Sequence, residues 1–308
     1  MRVSQTLSGT LLVAGAATLW GINGTVSSVV MSAGLEPTRL AEARITLAAI
    51  LLLAWVAWRE RPALRLSLRE LAAYACFGVF GLILVQWFYF EAITRIPIGI
   101  SLVIEYSAPL LVALWVRFVW RRTMPWQAWL ALPAAIIGLA GVLGVVGTLT
   151  SSLSGVGIVF SLGAALAYAY YILHSESLMR KRSPVAVLGL GMGMATVALA
   201  VVLPWWSFPW STLAITTEHS LVDAPLWALV LFVAVLGTTI PFAMILAGVK
   251  RIGADGAAVT AMLEPIIAGA IAWAFLGQSL TLLQTAGVFL VLGAVTFAQV
   301  GRARAARV

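Results

Sequence analysis

The chain has 308 residues, of which 62% are hydrophobic and only 10% charged, with a mean hydropathy of +1.04 and a formal net charge of +8. Soluble domains run roughly 45–50% apolar and about 25% charged, so a soluble fold is excluded and a chain that lives in lipid is implied. The lone cysteine, Cys76, allows no internal disulfide, and no phosphate loop, zinc-protease or nucleophile-elbow motif is present.

A helix needs about 20 mostly apolar residues to cross a bilayer. By that measure the sequence predicts ten spans, over 6–32, 37–58, 70–93, 98–120, 125–147, 155–178, 184–206, 226–249, 254–276 and 280–300. The expected fold class is all-α membrane protein. Connections are short apart from 205–225. The first apolar run exceeds the roughly 7–15 residues of a signal peptide's apolar region, so it is expected to stay as a span.

Polar side chains inside these spans are the candidate functional residues. In span one Trp20, Asn23 and Ser27 follow at i, i+3 and i+7, with Gly21 and Gly24 flanking Asn23. Asn23 would touch a solute and Trp20 stack on it; alternatively the small residues simply permit close helix packing. Span two carries Arg44, and span three offers Gln86 and Tyr89. In span four Ser101, Glu105 and Pro109 share one face at i, i+4 and i+8, and Tyr106 lies beside them. Span six offers Tyr171 and His174. His174 could gate a pathway or sit at the wet interface near Arg180–Arg182.

Span nine places Thr260 and Glu264 on one face, with Pro265 next in line. An ionisable group this deep in an apolar run is expensive, which makes Glu105 and Glu264 functional-site hypotheses. Glu105 would bind an ammonium group or carry a coupling proton; otherwise it is a neutral carboxyl bonded to nearby backbone. Glu264 has two equal readings, a pathway group or a buried structural partner, Arg44 being the candidate. Pro109 and Pro265 break the backbone ladder, which a membrane tolerates only beside protein or a watery cavity. Tyr106, Trp115 and Trp273 sit deep and are plainly read as lipid-facing or packing bulk, yet an aromatic-lined cavity would suit an aromatic or cationic solute.

Basic residues alternate. The connections predicted on one side carry 16 of the 19 Lys and Arg residues, leaving Arg39, Arg44 and Arg95. The positive-inside rule then puts both termini in the cytoplasm. The basic balance reads as topology and contact with anionic lipid, not nucleic-acid binding.

The chain also echoes itself. Shifted by 156 positions, Pro109 falls on Pro265, Arg95 on Arg251 and Ile96 on Ile252; shifted by 148, GAATLWG (15–21) falls on GAALAYA (163–169). This divides the chain into residues 1–148 and 149–308, five spans each. Five is odd, so the halves would enter the membrane in opposite directions, the signature of secondary transporters with a midplane site.

LWGINGTVS (19–27), AEARITLAAILLL (41–53), YSAPLLVAL (106–114), LEPIIAGAIAWAFLG (263–277) and QTAGVFLVLGAV (284–295) together carry a resemblance. In their order and spacing the chain resembles the EamA-type transporters of the drug/metabolite transporter superfamily. The resemblance implies ten helices in two inverted five-helix halves that move small metabolites or drugs, amino acids and aromatic ones among them. It matches the family's span-two arginine to Arg44 and its glutamate before proline to Glu264. Arg122 and Gln278 stand where the family usually has a glutamate, which puts a mechanism needing those acids in doubt.

The expected function is thus export of small metabolites, amino acids with an aromatic bias foremost, across the inner membrane by alternating access. The expected partners are a small-molecule substrate and the lipid bilayer, with proton coupling open and no cofactor or metal required. Proton-coupled efflux of drugs or quaternary cations is the alternative. A polytopic enzyme or structural subunit is remote, since His174 and His219 fall on opposite predicted sides and no carboxylate–His spacing recurs.

Overall fold

Capping residues and prolines decide where the helices start. A computed structural model describes residues 2–96, 98–145, 154–219, 222–267 and 281–305. Helix α1 covers Arg2–Ser32, and Pro37 opens α2, Pro37–Arg59, at the position where its missing N–H costs nothing. Ser67 caps α3, Leu68–Ile93, and closes a reciprocal capping box with Glu70. Then come α4 (Ile98–Glu105), α5 (Ala108–Phe118), α6 (Trp126–Val142), α7 (Gly155–Leu178) and α8 (Pro184–Val202). Ser154 and Ser183 cap α7 and α8.

The long 205–225 connection carries regular structure over its described residues. It holds two short 3₁₀ turns and an antiparallel hairpin, β1 (Thr216–His219) and β2 (Val222–Pro225), pairing Thr216 with Pro225 and His219 with Val222. Helix α9 (Leu226–Ala234) leads through a π turn, Val235–Thr239, into α10 (Ile240–Ala261), and α11 covers Leu282–Ala305.

Among the described residues eight helical runs are long and apolar enough to cross a membrane, and α6 is a shorter apolar helix of 17 residues. Large apolar side chains such as Phe118, Val201 and Phe289 point outward, as lipid contact requires. The predicted spans eight and nine form one 36-residue run, Leu226–Ala261. A straight helix of that length would measure about 54 Å against a hydrocarbon core of about 30 Å. Gly253 divides it, at a φ of 77° that glycine alone adopts without strain. The predicted ninth span after Ile267, with Gln278, lies outside the described residues.

Neither Pro109 nor Pro265 sits as a kink in a continuous helix. The chain leaves the helix at Tyr106 and Ser107, and again at Met262 and Leu263, and each proline lies near the start of the helix that follows. A proline has no N–H for the carbonyl four residues back and its ring clashes with that carbonyl, so the break falls just upstream and the proline sits in the first turn of the next helix.

Helix α1 packs on α10, α3 on α7, α2 on α8, and α6 on α11. The first two pairings use matching residues. A β-carbon on Gly9 would press on Ile252 and Arg251, and one on Gly157 on Ile96 and Arg95. Gly15 sits against Met244 and Gly163 against Phe88. Asn23 sits against Gly237 and Tyr171 against Gly81. The π turns, Phe77–Ile83 and Val235–Thr239, fall at corresponding places as well. Each of these pairs is related by the shifts of 148 and 156 read from the sequence.

One end of the bundle is basic and pinned. Arg182 donates to the carbonyls of Ala63 and Arg65 and to Glu70, at 3.2 Å for the last. Ser183 donates to Glu60 at 2.6 Å. Arg122 and Arg180 lie over the Trp120 ring. At the other end the 205–225 segment covers the α1–α2 turn: Arg39 donates to Ser207 at 2.6 Å, and Phe208 and Leu226 pack with the buried Leu35.

Candidate functional site

A polar cavity of about 260 Å³ opens between the helices. Helix α1 contributes Trp20, Asn23 and Gly24, and α2 contributes Arg44. Gly81, Leu82, Val85, Gln86 and Tyr89 come from α3, and Leu102 and Glu105 from α4. Tyr106 enters from the break after α4, Tyr168 and Tyr171 from α7, Phe242 from α10, and Glu264 from just past the second break. Nine of the predicted residues therefore meet at one place: Trp20, Asn23, Arg44, Gln86, Tyr89, Glu105, Tyr106, Tyr171 and Glu264.

The two helix breaks put both acids there. Where a helix stops inside the bundle, its end can point a side chain into a cavity rather than at a neighbour. Glu105 is the last residue of α4, and Glu264 resumes the helix after the second break. Tyr106 and Glu264 line the same cavity. Gln86 donates to the Leu82 carbonyl at 3.1 Å, an i−4 contact across the π turn, and its own Oε1 is buried with no protein partner. Arg44 Nε and the Tyr171 hydroxyl are likewise buried without partners. A buried polar group left unpaired costs about 1–3 kcal/mol, so three around one cavity mark it as built for polar contact.

Aromatic rings form the remaining wall. Trp20 meets Phe242 edge-on at 5.1 Å, and Tyr171 stacks with Tyr168 at 6.1 Å and with Phe77 at 5.7 Å. Phe77 and Tyr74 are fully buried on α3 toward its basic-end start, so a dry aromatic layer lies between cavity and basic end. Arg44 lies seven residues into α2 from the opposite end, about 10 Å at 1.5 Å per residue.

Five predicted residues fall elsewhere. Ser101 is buried against Ser161 of α7, with the hydroxyls 3.0 Å apart. The face of α4 turned to the cavity is that of Leu102 and Glu105, one residue round from the expected stripe. Thr260 donates to the Gly256 carbonyl at 2.8 Å and accepts from Gln299 at 2.6 Å, which ties α10 to α11. Pro109 and Pro265 shape the breaks without lining the cavity. His174 stacks on Tyr170 at 4.9 Å and faces a separate apolar groove of about 560 Å³ beside Leu111, Trp115 and Trp120.

The reading of Glu264 as the buried partner of Arg44, one of two weighed from the sequence, finds no ion pair among the described residues. Among the described residues Arg44 makes no salt bridge; the buried pair on α2 is Arg39–Glu42, at 2.8 Å with Glu42 wholly inaccessible. Tyr168 and Phe242 are the aromatic lining residues that sequence reasoning missed. The repeat held a signal for both: Tyr168 is the counterpart of Trp20, and Phe242 of Gln86.

The sequence pattern of the EamA-like transporter family matches residues 7–144 and again 155–299. The chain belongs to that family. Curated EamA relatives are distant. The uncharacterized inner membrane transporter YicL of Salmonella typhimurium is 25% identical over 311 residues, covering 99% of both chains. The threonine/homoserine exporter RhtA of Escherichia coli is 27% identical over 221 residues, covering 70% of this chain and 66% of its own. One solved structure, titled only as a crystal structure of a protein, superposes with a TM-score of 0.73 at 20% identity over 97% of each chain, a likeness of fold. The EamA chain described here is thus a multi-pass membrane protein of a transporter family.

Proposed function

We propose that this chain is a secondary transporter that exports small metabolites, amino acids foremost, across the inner membrane. The observation that carries the reading is the cavity, which brings Arg44, Glu105, Glu264 and several uncharged polar side chains together between apolar helices and is lined by residues from both predicted halves. Trp20, Asn23, Gln86, Tyr89, Glu105, Tyr106, Tyr171 and Glu264 are its proposed wall. The RhtA name supports small polar cargo, and the rings of Trp20, Tyr168 and Phe242 support an aromatic bias within that class.

The proposed mechanism is alternating access by two inverted halves, residues 1–148 and 149–308. Its support is geometric. The α1–α10 and α7–α3 pairings use corresponding residues, while the segments that correspond to the pinned loops of the basic end, 33–39 and 205–225, meet at the opposite end. An inverted repeat produces that exchange of ends. Basic connections gathered at one end support cytoplasmic termini. Glu105, which makes no salt bridge among the described residues, is the proposed proton carrier if transport is coupled.

Counterflow of labelled threonine, homoserine and phenylalanine in proteoliposomes, with and without a proton gradient, tests this. Saturable exchange of at least one amino acid is expected, and none for any of them would sink the amino acid reading. Two carboxyls beside aromatic rings equally favour a cation as cargo. On that second reading Glu105→Gln abolishes cation efflux, and amino acids fail to compete.

A further inference from the structure

Among the described residues no carboxylate forms an ion pair with Arg44. Glu42, two residues away on α2, is held by Arg39 at 2.8 Å. Glu264 and Glu105 line the same cavity, yet no ion pair joins either to Arg44 among the described residues. The Arg44 Nε is buried and without an acceptor. A guanidinium presents its donors in a planar fork that fits a carboxylate with two parallel bonds, and it cannot shed its charge to escape the cost of burial.

We propose that Arg44 is the anchor for a carboxylate group of the transported solute, with Glu105 facing a cationic group on the same molecule. The inference deepens the exporter reading and rests on it for the cargo's identity; the anion subsite rests on the geometry of Arg44. A zwitterion with its two charges a few ångströms apart supplies the counter-ion each group lacks, and the cavity of about 260 Å³ has room for a small one. Gln86 Oε1 and the Tyr171 hydroxyl, both without protein partners, offer further polar contacts on the same wall.

The test is isothermal titration of the purified full-length protein with threonine, threoninamide and 3-hydroxybutyrate. The amide removes the carboxylate charge, and 3-hydroxybutyrate lacks the amine. Losing a charge-assisted bond corresponds to about 10- to 100-fold, so threoninamide is expected to bind weaker than threonine by that factor. In Arg44→Gln that gap closes, and Arg44→Lys keeps part of it as a point charge without the fork. Threoninamide binding as tightly as threonine, Arg44→Gln keeping the gap, or no binding by either carboxylate would each overturn the subsite. Binding of 3-hydroxybutyrate as tight as that of threonine supports the anion subsite while removing the amino acid cargo. The comparison of ligands on the unmutated protein stands even if the Arg44 variants fail to fold.

Discussion

Asn23 packs against Gly237 so closely that a β-carbon on Gly237 would overlap its side-chain amide. Asn23 is buried, and Gly237 lies in the π turn that ends α9. One wall residue of the cavity is therefore held by the backbone of the other half of the chain. Gly237→Ala should displace the amide and cost about 1–3 kcal/mol, the range for overpacking a tight contact. Thermal unfolding in detergent reads the loss. Adding Asn23→Ala should restore part of it; independent, additive losses would show that the two residues do not press on each other.

Corresponding contacts should respond alike. A β-carbon at Gly9 meets Ile252 Cγ2 at 2.6 Å and Arg251 Cβ at 3.0 Å, while one at Gly157 meets Ile96 Cγ2 at 2.6 Å and Arg95 Cβ at 3.1 Å. Gly9→Val and Gly157→Val are expected to lower unfolding temperature by similar amounts, with ΔΔG values within about 0.5 kcal/mol of each other. A severe loss in one and none in the other would speak against equivalent packing in the two halves.

Glu42 is a carboxylate with no solvent access, and only one of its oxygens has a partner, Arg39 at 2.8 Å. Arg39→Ala strands the buried charge and should cost about 3–5 kcal/mol, seen as reduced folded yield and an earlier melt. Arg39→Ala combined with Glu42→Leu should be milder than Arg39→Ala alone, because no charge is then left unpaired. If the single variant proves as stable as its parent, the buried pair contributes little.

At the basic end Glu176 of α7 joins two segments. One oxygen accepts from Arg122 at 2.5 Å, and the other accepts the backbone N–H of Ala254 at 2.7 Å, the residue after the Gly253 break. Arg122 is 42% exposed, so the ion pair adds roughly 0–1 kcal/mol, whereas the charge-assisted bond to backbone is worth about 1.5–3 kcal/mol. Glu176→Ala should loosen this end. A cysteine placed at the buried cavity residue Leu82, in a Cys76→Ser background, should then react faster with a membrane-impermeant maleimide added at the basic face. Unchanged labelling would mean that Glu176 does not hold that end shut.

Apolar length was enough to locate the eight membrane-length helical runs seen among the described residues, because in lipid every backbone polar group must be satisfied within its own segment. The cost of charge in hydrocarbon likewise made Arg44, Glu105 and Glu264 stand out, and all three line the cavity. Tyr168 and Phe242 did not stand out, since an aromatic residue in an apolar run carries no mark that separates cavity wall from packing bulk. Ser101 and Thr260 looked like pathway groups, yet each hydroxyl is used between helices, by Ser161 and by Gln299. The π turns shift helical phase without any residue that announces them, and the 205–225 hairpin lacked a strand-like alternation. That Arg44 meets no acid among the described residues was equally beyond the one-dimensional pattern. Spans and their charges follow from the free energy of each segment in lipid, a local quantity; partners follow from how helices rotate and break against one another, which only the packed bundle decides.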